Sequence, residues 1–174
     1  MTQSPDTVAL PSALPDASPV LRACLFALPG GRFAVDVRSA REVAVFDDVT
    51  AVPRAPRVLL GVANLRGTVV PIVDAGPLLG LPELRPIRSV RTLVLRDGPL
   101  LAAVAVETVL GLEPFADVLA SDDPSAPGGS TRSPLVSGWL TWAGETLALL
   151  DVPRLLAVLR ATLGADEPAR RGAA

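Results

Sequence analysis

The chain has no histidine, no tyrosine and no lysine, so all 16 basic residues are arginine, and it has one cysteine and one methionine. These gaps remove much of catalytic chemistry. A Ser-His-Asp or Cys-His triad needs an imidazole. A Schiff-base or Walker-type lysine needs an amine. A zinc site needs clustered Cys and His, which one cysteine cannot supply. Carboxylate-only metal sites and acid–base pairs remain open, and no cofactor is called for. Aromatic residues make up 3% of the chain and net charge is −2. With no basic stripe and few rings to stack on bases, nucleic acid is not an expected partner. A single cysteine excludes an internal disulfide framework and suits a reducing compartment. Long apolar runs are missing as well. The longest uncharged stretch, Ser133 to Gly144, falls short of the roughly 18 apolar residues of a membrane helix, so no direct membrane insertion is expected. Met1 to Leu21 lacks a basic segment, carries Asp6 and Asp16, and is broken by four prolines. It reads as a flexible tail rather than a signal peptide, and Gly164 to Ala174 reads as a second tail.

What is present suffices for a core. The 174 residues are 49% hydrophobic, and the mean hydropathy is +0.44, as one domain or two small fused ones require. Apolar runs are short and punctuated. Ala23 to Leu28, then Pro29–Gly30–Gly31–Arg32, then Phe33 to Val37 reads as strand, turn, strand. Val43 to Phe46, Thr68 to Val73, Val90 to Leu95, Leu100 to Val106, Trp139 to Trp142 and Thr146 to Leu150 are further strands. The class is all-β, built of small sandwiches or barrels. Pro153 to Leu163 is the helix, with proline at its first position and Gly164 at its end. Pro77 to Leu81 is a shorter helical turn. Ser121 to Pro134, rich in Pro, Gly and Ser, reads as a mobile loop inside the fold.

The chain also repeats itself. Gly61, Gly67, Asp74, Leu78 and Leu79 recur at the same spacing as Gly138, Gly144, Asp151, Leu155 and Leu156. More weakly, Val35, Val37, Ser39, Ala40 and Val43 fall opposite Val104, Val106, Thr108, Val109 and Leu112. Two related units side by side, divided near residues 83–90, would leave a partner groove between them.

Several residues invite a function. Arg66 stands in the string Gly61–Val62–Ala63–Asn64–Leu65–Arg66–Gly67, which holds the only asparagine of the chain. A structural arginine satisfying turn carbonyls or a carboxylate and a functional one fixing a partner surface are both open readings. The expectation is a partly buried guanidinium at a groove between the two units. Val52–Pro53–Arg54–Ala55–Pro56 is a stiff connection. Asp74 and Asp151, each just after a strand and before a helical turn, read as caps rather than acids or bases. Asp36, Glu42 and Glu107 would complete a hydrolytic pair only if two faced one cleft. Cys24 reads as a small buried hydrophobe. Trp139 and Trp142 should face opposite sides of a strand, one in the core and one partly exposed.

The string G-V-A-N-L-R-G-T-V-V-P-I-V-D at residues 61–74 resembles the signature of the CheW family of chemotaxis adaptors, also found in the regulatory domain of CheA kinases. F-A-L-P-G-G-R-F-A-V-D-V, R-E-V at Arg41, A-V-P at Ala51 and A-L-L-D-V-P-R-L-L extend the likeness over Arg22 to Leu163. The resemblance implies two tandem five-stranded SH3-like β-barrels with a short C-terminal helix, and no catalysis. It implies a cytoplasmic scaffold adaptor in membrane-associated arrays. Its partners would be a CheA-type histidine kinase and the cytoplasmic tips of methyl-accepting chemoreceptors. Carried over by position, receptor binding falls on Ala40, Arg66, Gly67, Val109 and Leu112, and kinase binding on Glu42, Ala44, Phe46, Val49 and Val52. A kinase-independent receptor binder and, in another class, a carboxylate-based enzyme or ligand-binding β-barrel are the alternatives.

Overall fold

The computed structural model describes residues 21–84, 89–127 and 133–164. The flexible tails expected over 1–20 and 165–174, residues 128–132 of the expected mobile loop, and residues 85–88 lie outside the described residues. The elements are β1 (Leu21–Leu28), β2 (Gly31–Asp36), β3 (Ala40–Phe46), β4 (Leu59–Leu65), β5 (Thr68–Val73), a 3-10 turn (Gly76–Leu79), β6 (Val90–Asp97), β7 (Leu100–Ala105), β8 (Thr108–Phe115), β9 (Leu119–Ala120), β10 (Val136–Trp142), β11 (Glu145–Leu150) and α1 (Val152–Gly164). The all-β reading holds, and two SH3-like barrels are present. One barrel is the five-stranded sheet β3-β6-β7-β5-β4; the other is the six-stranded sheet β8-β1-β2-β11-β10-β9. The sixth strand is the two-residue β9. Its counterpart in the first barrel is Thr50, which bridges Val62.

A division near residues 83–90 does not separate these barrels. Each half of the chain lends its N-terminal hairpin to the other half's barrel. β1–β2 joins β8 to β11, and β6–β7 joins β3 to β5. The exchange is made by parallel pairs, Ile72 with Ala103 in one barrel and Leu149 with Ala34 in the other. Burial explains it. Strands apolar on both faces must lie between two cores. On β1, Cys24, Phe26 and Leu28 enter a core between the barrels, while Ala23 and Leu25 enter the second barrel's own core. On β7, Ala102 and Val104 face the shared core, and Ala103 and Ala105 the interior of the first barrel. The helical segments cross the same seam. α1 packs on β6 and β7. Leu81–Pro82, after the 3-10 turn, lies against the β1–β2 turn, with Pro82 Cδ 3.4 Å from where a Cβ on Gly30 would stand.

The repeat survives this exchange. The Asp74 N–H donates to Val58 O at 2.8 Å, and the Asp151 N–H to Leu135 O at 2.8 Å. β4 bulges against β5 between Leu59 and Gly61, as β10 does against β11 between Val136 and Gly138. A Cβ on Gly61 would stand 2.5 Å from Thr50 O, and one on Gly138 2.8 Å from Leu119 O, so both strands need glycine where the barrel closes. Asp151 caps, as expected, whereas the 3-10 turn has Ala75 at its N-cap and Asp74 clips a loop instead. Asp151 accepts from Arg154 N at 3.0 Å at the start of α1. Asp74, buried, accepts from Gly76 N at 2.9 Å and Leu84 N at 2.7 Å, clipping the two ends of the loop between them.

Candidate functional site

The site is built at the mouth of the first barrel. A two-residue turn joins β4 to β5, and its first residue, Arg66, has φ of 51°. Asn64 holds the turn by accepting the Gly67 N–H on Oδ1 at 2.7 Å. The Arg66 side chain points out of it and donates from Nη2 to Glu42 Oε2 at 2.7 Å. Glu42 is set by a bulge: Ala40 pairs with Leu95 and Glu42 with Val94, which leaves Arg41 as the extra residue on β3. These side chains border a cleft of about 570 Å³ walled also by Val69, Arg96, Leu100 and Leu101.

Two expectations about Arg66 need correction. Its carboxylate partner is present, but the guanidinium is not partly buried: the side chain is 80% exposed. Nor does it stand between the barrels. All residues lining the cleft belong to the first barrel or its turns, because the space between the barrels is filled by the largest apolar core. The second repeat offers a comparison for this arginine. Ala143 occupies the same place in the β10–β11 turn with φ of 50°. The left-handed turn therefore forms without a guanidinium at this position.

The remaining residues read from the sequence fall into distinct settings. Ala40 and Val109, equivalent in the two repeats, are half-buried at the margin of the core between the barrels. Leu112, on β8, is exposed, and Gly67 is exposed beside Arg66. Ala44 is half-buried, and its carbonyl accepts the Thr92 hydroxyl at 3.1 Å. Val49 packs against the first barrel's core, and Val52 is exposed. Phe46 is not a surface side chain. It is 8% exposed within that core, because β3 turns alternate residues inward. The side chains that β3 turns outward are Val43 and Val45, 48% and 55% exposed. Alternation along residues 43–46 carried that signal, once the inward face was fixed. Among the described residues, β3 is also an edge strand, paired only with β6.

The other candidates are engaged locally. Arg38 holds Asp36 with two guanidinium nitrogens, which pushes the carboxyl below its ordinary pKa. Burial pushes the Cys24 thiol up. Trp139 and Trp142 do face opposite sides of β10, onto the shared core and the second barrel's core respectively, and both are half-buried. Among the described residues, no group of three or more His, Cys, Asp or Glu is placed to hold a metal.

Comparison with known proteins agrees with this architecture. The family model of the CheW-like domain matches residues 22–160. Protein FrzA of Myxococcus xanthus is 32% identical over 133 residues, covering 74% of this chain and 81% of that protein. The probable chemotaxis protein CheW of Rhizobium etli is 39% identical over 61 residues, which is 35% of this chain and 39% of that protein. The scaffolding protein TtCheW of Thermoanaerobacter tengcongensis superposes with a TM-score of 0.67 at 18% identity, over 78% of this chain and 92% of that one, a likeness of fold. With its matched region, its doubled barrel and its Asn64–Leu65–Arg66–Gly67 turn, the chain belongs to the CheW-like domain family.

Proposed function

We propose that this protein is a non-catalytic scaffold adaptor that couples chemoreceptors to a CheA-type histidine kinase in a cytoplasmic signalling array. One observation carries the reading. The strand β3, an edge among the described residues, presents two exposed aliphatic side chains, Val43 and Val45, beside the Arg66–Glu42 pair. Unpaired edges and outward aliphatic side chains cost solubility unless a partner covers them. The kinase face is Val43, Val45 and Val52, with Glu42, Ala44 and Val49 supporting it from the same region. The receptor face is Ala40, Val109 and Leu112, with Arg66 and Gly67 next to it. Affinity in such small interfaces rests on a few central contacts, and assembly is reinforced by multivalency.

The test is a pair of titrations on the full chain, one with the kinase's regulatory domain and one with a receptor-tip fragment. Val43→Asp should weaken the first and leave the second, and Leu112→Asp the reverse. If neither partner binds the unaltered chain, the reading fails.

A further inference from the structure

The two barrels offer an internal comparison. In the second barrel, the positions equivalent to those lining the cleft carry different side chains. Leu110, the counterpart of Arg41 at the matching bulge, packs into that barrel's core, as does Trp142, the counterpart of Leu65. Arg32, the counterpart of Leu101, is ion-paired with Glu145. In the first barrel Leu65 and Leu101 pack against the core in the same way, but the bulge carries the exposed Arg41, and these side chains line the 570 Å³ cleft. Three guanidinium groups, Arg41, Arg66 and Arg96, border it against one carboxylate, Glu42. Glu42 is taken by Arg66. Arg96 is steadied at the cleft by donating Nε to Gly98 O at 2.8 Å. This excess of positive charge stands in a chain whose net charge is −2.

We infer that the mouth of the first barrel is a carboxylate-recognition site. It takes a receptor segment in which an acidic side chain is flanked by aliphatic ones, with Arg41 and Arg96 as its specificity determinants. The acidic group sits between these arginines, where planar guanidinium forks suit a carboxylate. The aliphatic flanks lie on Val69, Leu100 and Leu101. The pairing is exposed and is therefore sensitive to salt. This rests on the adaptor reading and deepens it, because it states what the receptor must carry and adds residues outside the set read from the sequence.

The experiment is a titration of the full chain with the receptor-tip fragment at about 50 and 300 mM salt, converted through the Debye length. Arg41→Glu/Arg96→Glu should weaken binding at least about tenfold at low salt and flatten the salt dependence, with the kinase domain bound as before. The milder Arg41→Gln/Arg96→Gln should fall between, and its unchanged melting temperature excludes misfolding as the cause. Binding of both double variants with unaltered affinity and salt response, while Leu112→Asp still abolishes it, overturns this inference and leaves the adaptor reading standing. Absence of binding by the unaltered chain overturns both. Millimolar glutarate that binds the cleft without displacing the fragment assigns the site to a small anion and overturns the peptide proposal.

Discussion

Phe46→Asp and Val45→Asp change neighbouring residues of one strand and should have opposite consequences. Phe46 is packed with Val70, Ile72, Val90 and Val94 in the first barrel's core, whereas Val45 faces solvent. Truncating a buried phenylalanine to alanine costs about 3–5 kcal/mol. Placing an unpaired carboxylate there adds a desolvation penalty of several kcal/mol. Together these match the roughly 5–15 kcal/mol that hold a domain folded. Phe46→Asp should therefore unfold the first barrel, and the shared hairpins should carry the second barrel with it. Val45→Asp loses no burial of that kind and should move stability by no more than about 0.5 kcal/mol. Urea unfolding followed by circular dichroism and tryptophan fluorescence reads both, since Trp139 and Trp142 report the second barrel. Kinase-domain binding should be lost by the folded Val45→Asp protein. Equal unfolding midpoints for the two variants would refute the assignment of inward and outward faces on β3.

Asp74→Ala should cost about 2–5 kcal/mol, since it strands two backbone N–H groups, while Asp151→Ala should cost about 0.5–2 kcal/mol as the loss of an exposed cap. Paired thermal melts would show whether the two aspartates differ in this order. Arg66→Ala should leave the melting temperature within about 4 °C, because an exposed ion pair contributes about 0–1 kcal/mol, yet should reduce receptor-fragment binding. A matched fall in both would make Arg66 structural. Arg38 holds the folded Asp36 pKa below its unfolded value, so the stabilisation is present above the unfolded pKa, near 4, and lost as pH falls through the folded one. Melts between about pH 5 and pH 2 should show a smaller loss for Asp36→Asn than for the unaltered chain.

Much of the fold was written in the local pattern. The Pro29–Gly30–Gly31 and Asp97–Gly98 turns mark their hairpins, Pro153 and Gly164 bracket α1, and the spacing from Gly61 to Leu79 announces its copy. The strands that were missed are those whose pattern is diluted. β8 carries Gly111 and Pro114, β9 is two residues long, and β4 was read as a motif rather than as a strand. The exchange of hairpins was hidden because it depends on which of two apolar faces of β1 and β7 meets which core. The same cause misplaced Phe46, an inward residue on a strand whose face no local signal fixes. The Arg66–Glu42 contact joins two strands, β3 and the end of β4, that no local pattern places side by side.

The central claim is that one chain holds receptor and kinase at once through separate faces. Sedimentation velocity of the full chain with the receptor-tip fragment and the kinase's regulatory domain tests it most directly. The account predicts a ternary complex containing all three, reduced to separate binary complexes by Leu112→Asp on one side and Val43→Asp on the other. Mutual displacement of the two partners from a single face, or failure of both to bind, would contradict it.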